Sequence, residues 1–300
     1  MGEQATIPLR FAEDLRPVGE AVVNGSTVPV MLSTGSAESL VFNKKTLDRL
    51  GVEVRSSTST LFPSDERNPT GAVLLREIAY AFVDDFSFGP FKRKKASYLV
   101  EDFMDDTFAI RAGAGNLLQT DVELALDAGY LKFFTPQGCF REHLAYWDLQ
   151  AVAVPAMGDV WKRDPRLVFK VRIAGNDVLA ILSTGTPHSY LPKPTAERLG
   201  LSASSPGATR EPPVPGHGPD QPVWKVPVPS LSIGALDVKN LDLRVMDLPQ
   251  EGEILVLGAD FLHRYRVYVA RSQMQFYFSP IDAPKALKRG SVKVIPSAPE

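Results

Sequence analysis

The sequence predicts an all-β protein built from two copies of one domain-sized unit. Three observations lead there. Ser-Thr-Gly occurs twice, at Ser33-Thr34-Gly35 and Ser183-Thr184-Gly185, each time directly after an apolar run, Val28-Pro29-Val30-Met31-Leu32 and Val178-Leu179-Ala180-Ile181-Leu182. Other segments recur at nearly the same spacing: Arg49-Leu50-Gly51-Val52 as Arg198-Leu199-Gly200-Leu201, Phe88-Gly89 as Ile233-Gly234, and Gly115 through Phe133-Phe134 as Gly258 through Phe276-Tyr277. The spacing shrinks in one direction along the chain, as short deletions in loops produce. A period this long is not that of a solenoid, and each copy has the usual size of a domain. The third observation is the frequency of short alternating apolar and polar runs, the mark of half-buried strands.

Taken in order, Glu20 to Gly25 alternates, ends on the turn signal Asn-Gly and leads into the strand that carries Ser33. Lys44 to Leu50 reads as a short helix stopped by Gly51. Ser56 to Gly71 reads as a loop, and His143 to Pro165 links the halves. Val168 to Gly175 repeats the alternating run and its turn before the strand that carries Ser183. Pro194 to Leu199 is the second short helix, stopped by Gly200. Ser204 to Pro222 includes Pro206, Pro212, Pro213, Pro215, Pro219 and Pro222, more prolines than a strand ladder tolerates. Leu231 to Ile233 and Leu241 to Val245 alternate again, and Tyr265 to Val269 with Met274 to Phe278 form a last hairpin turning at Arg271-Ser272-Gln273. The expected division is a first lobe at 1–145, a second at 146–281 and a poorly ordered Lys- and Pro-rich tail at 282–300.

Composition narrows the function classes. Hydrophobic residues make up 44% of the 300, enough for a core in each half, and a net charge of −2 points to neither nucleic acid nor a membrane surface. No apolar run is long enough for a membrane span, and the N-terminus lacks the charged and apolar regions of a signal peptide, so a soluble protein of unknown compartment is expected. The single cysteine, Cys139, excludes an intramolecular disulfide framework.

The repeated segments resemble those of the aspartic peptidases, both the two-lobed pepsin-like enzymes and the single-lobe retropepsins. That family carries an apolar pair before Asp-Thr-Gly-Ser/Thr/Ala and an apolar-apolar-Gly segment later in the lobe. Ile254-Leu255-Val256-Leu257-Gly258-Ala259-Asp260-Phe261-Leu262 matches the later segment closely, and Ile110 to Gly115 followed by Asn116-Leu117-Leu118 matches it more loosely. The resemblance implies a two-lobed pepsin/retropepsin-like acid protease fold with an interlobe cleft. It also implies an endopeptidase ancestry, an extended polypeptide substrate or peptide ligand, no cofactor, and a site that a monomer suffices to form. Ser33 and Ser183 stand where the family has its two catalytic aspartates. Thr34 and Thr184 match the supporting threonines, Gly35 and Gly185 the turn glycines, and Ser36, Thr186 and Trp224 are cleft or flap candidates. The loops 56–71 and 204–222 fall where substrate-covering hairpins are expected.

The serine pair removes the family's chemistry. One carboxylate acts as base on a water while the other, protonated, serves as acid. A serine hydroxyl does neither near neutral pH, and each positioned acid–base group is worth about 10²–10⁴-fold. An inactive or nearly inactive peptidase scaffold is therefore expected, whether a deliberately inactivated enzyme or a natural pseudo-enzyme. The rival is a non-catalytic module that binds an extended peptide or a partner protein.

The remaining chemistry-bearing residues have plain readings. No Gly-x-Ser-x-Gly elbow supports a serine nucleophile, and His188 reads as a loop residue. His143, His188, His217 and His263 lack metal-ligand spacing, so no metal is expected. Lys92-Arg93-Lys94-Lys95 reads as a solvated turn and Cys139 as a structural thiol.

Overall fold

A computed structural model describes residues 2–61, 74–103, 105–138, 142–158, 164–213, 221–247 and 253–281. Cys139, His217, the tail 282–300, and the parts of the two expected covering loops at 62–71 and 214–220 lie outside the described residues.

The chain opens with β1 (Gly2–Pro8), β2 (Arg10–Phe11), β3 (Pro17–Val23) and β4 (Ser26–Ser33). Asn24 and Gly25 join β3 to β4 at φ 47° and 84°, the two left-handed positions that a type I′ hairpin turn requires. After β5 (Leu40–Asn43) comes α1 (Lys44–Arg49). The Asn43 side chain caps it by accepting from the Lys45 amide at 3.2 Å, and Gly51 leaves it at φ 63°. Next are β6 (Val54–Leu61), β7 (Leu74–Phe88), β8 (Phe91–Glu101), β9 (Ile110–Gly113), α2 (Ala114–Leu117), β10 (Asp121–Ala125), β11 (Tyr130–Thr135) and β12 (Val152–Met157). The later part holds β13 (Val168–Ile173), β14 (Asn176–Leu182), β15 (Tyr190–Pro192), α3 (Lys193–Arg198), β16 (Thr209–Glu211) and β17 (Val223–Pro227). It closes with β18 (Leu231–Ile233), β19 (Leu236–Val238), β20 (Asp242–Met246), β21 (Leu255–Leu257), α4 (Ala259–Leu262), β22 (Tyr265–Ala270) and β23 (Gln275–Pro280). With helices of four to six residues, the fold is all-β.

Three sequence expectations are corrected by the ladders. Thr209–Glu211, within the stretch 204–222 read as loop, is β16, a proline-free segment paired with β17 from Thr209↔Lys225 to Glu211↔Val223. Ser56 to Leu61 is not loop but the end of β6, paired with β7 from Ser56↔Ala79 to Leu61↔Leu74. Lys92 to Lys95 is not a turn but part of β8. The turn lies earlier, at Gly89-Pro90, where Phe88 pairs with Phe91. All four cations are exposed, and the ladder keeps one register from Ala79↔Val100 to Phe88↔Phe91, with Lys95 at φ 49° between the Val83↔Ala96 and Asp85↔Lys94 pairs.

Contacts divide the described residues into two compact units: one holds those of 2–19, 31–39 and 112–281, the other those of 20–30 and 40–111. In the first, a sheet runs β1-β11-β10-β22-β23-β12-β13-β14-β21-β15-β20-β17-β16, with β18 and β19 attached through β13. At β10–β22 the early and late parts of the sequence pair antiparallel, as Val122↔Val269, Glu123↔Tyr268 and Leu124↔Val267. Its core includes Phe133, Phe169, Phe261, Phe276 and Phe278, all fully buried. The second unit is built on β5-β8-β7-β6 and holds a cluster of Phe42, Phe86 and Tyr98, with the Phe42 and Tyr98 rings stacked at 4.8 Å.

Candidate active site

Ser33 ends β4, and Ser183 directly follows β14. Both strands are apolar and buried where they approach the serines, so each delivers its hydroxyl residue from a rigid element. In the second half β14 is held by β21 in parallel, and the Ser183 amide donates to Leu257 O at 2.9 Å.

The two Ser-Thr-Gly segments, 150 residues apart, meet inside the first unit. Thr34 Oγ1 donates to Leu182 O at 2.8 Å and accepts from the Thr184 amide at 3.1 Å. Thr184 Oγ1 donates to Leu32 O at 2.7 Å and accepts from the Thr34 amide at 3.1 Å. Each hydroxyl thus acts once as donor and once as acceptor, so its single proton is used and both segments are tied through it. Thr34 is 1% exposed and Thr184 not at all, so all four bonds are shielded from water.

The glycines are dictated by this approach. A Cβ on Gly35 would stand 2.4 Å from Ser183 Oγ, and one on Gly185 would stand 2.4 Å from Ser33 Oγ. Each serine therefore lies against the other segment's glycine, and any side chain there would force the two apart. Both serines are themselves buried. Ser183 Oγ is hydrogen-bonded to Thr186 Oγ1 at 2.7 Å, whereas Ser36 Oγ turns to the Glu38 carboxylate.

The loops that follow are braced alike. Ala114 N donates to Ser36 O at 2.7 Å, and Ala259 N donates to Thr186 O at 2.8 Å. A Cβ on Gly113 would collide with Glu38 O and Ser36 O, and one on Gly258 with the His188 carbonyl group and Thr186 O. The sequence expectation set Gly115 against Gly258; the structure puts Gly113 in the surroundings that match those of Gly258. Arg111-Ala112-Gly113 is thus the first half's version of Val256-Leu257-Gly258.

One member of the site escaped the sequence reading. Asp260, at the start of α4, accepts from Ser189 N at 2.9 Å, from Ser189 Oγ at 2.7 Å and from Phe261 N at 2.8 Å. Ser189 Oγ in turn accepts from Gly258 N at 3.0 Å. A buried serine three residues beyond Thr186, with an aspartate just inside a glycine-led helix, is the signal that could have revealed it. His188 stays in this loop, 3.8 Å from Asp260. Burial, then the Arg244 charge, hold its imidazole below the ordinary value against the pull of Asp260. Trp224 is elsewhere: on β17 it lines a groove of about 530 Å³ with Lys193, Glu197, Leu201 and Met246, and no Ser-Thr-Gly residue lines that groove.

Residues 169–261 match the family model described as aspartyl protease. Among solved structures, an aspartic proteinase from Irpex lacteus aligns with a TM-score of 0.55 and 12% identity, covering 94% of this chain and 98% of that one. Conglutin gamma, a basic 7S globulin from lupine seeds, aligns with a TM-score of 0.50 and 11% identity, over 93% of this chain and 96% of that one. No curated protein matches by sequence. The family match is confined to residues 169–261, and the likeness to the solved aspartic proteinase shows a shared fold over nearly the whole of both chains. Among the described residues, no helix is long and apolar enough to cross a membrane.

Proposed function

We propose that this chain, tied to the aspartic peptidases by residues 169–261 and by its fold, is a peptidase scaffold that holds an extended polypeptide and does not cut it. In this reading Ser33 and Ser183 occupy the two catalytic positions. Thr34, Gly35, Thr184 and Gly185 support them, and Ser36 and Thr186 flank them. The reciprocal threonine bonding carries the proposal, because it fixes two loops in the arrangement a two-residue acid–base site needs. With serine at both positions, neither a base for water nor an acid for the substrate carbonyl is available near neutral pH.

The halves 1–145 and 146–281 are proposed to be copies of one lobe, with 282–300 belonging to neither. The matched surroundings of Gly113 and Gly258 and the paired left-handed turns at Asn24-Gly25 and Ala174-Gly175 favour this. One chain supplies both serines, so a monomer is sufficient for the site.

The test is Ser33→Asp combined with Ser183→Asp, assayed on a denatured protein between about pH 3 and 7, the range of carboxylate titration, with and without pepstatin. The double variant is expected to cleave in the acid range and to be inhibited. Either single variant should cleave little, because a lone carboxylate has no acid partner. A double variant that folds normally and cuts nothing would remove the peptidase ancestry as a guide and leave the binding role alone.

A further inference from the structure

A second pair of motifs shares the spacing of the serines. Asp14-Leu15-Arg16 and Asp164-Pro165-Arg166 are 150 residues apart, as are Ser33 and Ser183. Both fold into the same local device. Arg166 N donates to Asp164 Oδ1 at 2.9 Å, and the guanidinium Nε and Nη2 donate to the same carboxylate at 3.0 and 2.7 Å. Arg16 N donates to Asp14 Oδ1 at 3.3 Å, and its Nε to Asp14 Oδ2 at 2.7 Å.

With one edge of the Arg166 fork fixed by Asp164, the other is aimed. Arg166 Nη1 donates to Gly35 O at 3.3 Å. Gly35 is the residue whose Cα leaves no space beside Ser183. In the other clasp Arg16 Nη1 reaches Met31 Sδ at 3.2 Å, two residues before Ser33. Burial pushes the Asp164 carboxyl up, but its bonds from Arg166 outweigh this and leave it below the ordinary carboxylate value.

We propose that the two Asp-x-Arg segments are clasps for the strand and loop of the first serine, and that Arg166 is a positioning residue that sets the Gly35 peptide against Ser183. A planar fork suits this task because it grips a carboxylate and a carbonyl at once, whereas a lysine ammonium is a single point charge. The clasp acts on the loop whether the site cuts or only binds.

The test compares amide hydrogen exchange and the Ser183 side-chain NMR shifts in the parent chain, Arg166→Gln, Arg166→Lys and Asp164→Asn. The Ser36 amide, which donates to Ser33 O, is expected to exchange about tenfold faster in all three, as loss of one charge-assisted hydrogen bond would give. The Ser183 signals should shift with it, while amides of β22 and β23 keep their rates. Lysine should not rescue. Unchanged exchange at Ser36 in Arg166→Gln would overturn the proposal. So would a rise shared equally with β22 and β23, or full rescue by lysine. If Arg166→Gln does not fold, Asp164→Asn, which frees the fork and keeps the charge, decides by the same readout. No ligand or activity enters the measurement, so its failure leaves the proposed function standing.

Discussion

Thr34→Val keeps the shape of the threonine and removes only its hydroxyl. The loss leaves Leu182 O without the 2.8 Å donor and Thr184 N without the 3.1 Å acceptor. Both groups are buried, with Leu182 5% and Thr184 0% exposed. Water cannot easily replace the hydroxyl. The void beside Thr34 measures about 10 Å³ and is otherwise lined by Leu118, Leu124, Leu167, Leu182, Val269 and Phe276, so a water there would find too few polar partners. An unsatisfied buried group costs about 1–3 kcal/mol, so two should cost about 2–6 kcal/mol. At roughly 2 °C per kcal/mol for a chain of this size, the melting temperature should fall by about 4–12 °C. Thr34→Ser retains the hydroxyl and should cost less than about 1.5 kcal/mol, the loss of one methyl group. Thermal and urea unfolding of the two variants side by side is the assay. If valine were tolerated as well as serine, the reciprocal bonding would not be what holds the two segments together.

Three further outcomes are expected. Ala174 sits at φ 47° in the turn where its counterpart is Asn24, so Ala174→Asn should stabilise by about 0.5–1 kcal/mol in urea unfolding; a destabilised variant would contradict the turn assignment. Glu123 is fully buried with Arg266, Tyr130 and Tyr146 bonded to it, so Glu123→Leu should cost about 3–5 kcal/mol, much of it recovered when Arg266→Met is added; a double variant no better than the single would show that the stranded charge is not the cause. His263 is held below its ordinary value mainly by burial, which outweighs its bond to Leu15 O and the pull of Asp127 and Asp260. The unfolded chain therefore binds the proton more readily. This contribution is complete above about pH 6.5 and declines as the pH falls through it, so His263→Gln should flatten the loss of urea stability between about pH 7.5 and 5.

Much of this molecule follows from local chemistry. The hairpin turns at Asn24-Gly25 and Ala174-Gly175, the short helices ended by Gly51 and Gly200 and the final hairpin rest on φ preferences and alternation, which neighbouring residues impose on one another. The juxtaposition of Ser33 with Ser183 was legible because two local patterns repeat. What local chemistry left open is register. Gly113 ends β9 and Gly115 lies one residue into α2, and the residue types alone do not say which of the two matches Gly258. A Cβ at 113 would meet Ser36 O at 2.8 Å, as one at 258 would meet Thr186 O at 2.8 Å, whereas one at 115 meets only the Glu38 and Ser39 backbone, and this separates them. Likewise Lys92 to Lys95 carries turn-like polarity, yet the long β7–β8 ladder absorbs it. The sequence by itself determined the all-β class, the turn at Asn24-Gly25 and the residues at the two serine positions. Only the tertiary structure decided that Asp260 holds Ser189, that Arg166 reaches Gly35 and that Trp224 lines a separate groove. The two hydrogen bonds join residues 71 and 131 apart, and a periodicity read along the chain carries no information about which distant carbonyl or hydroxyl a side chain will meet.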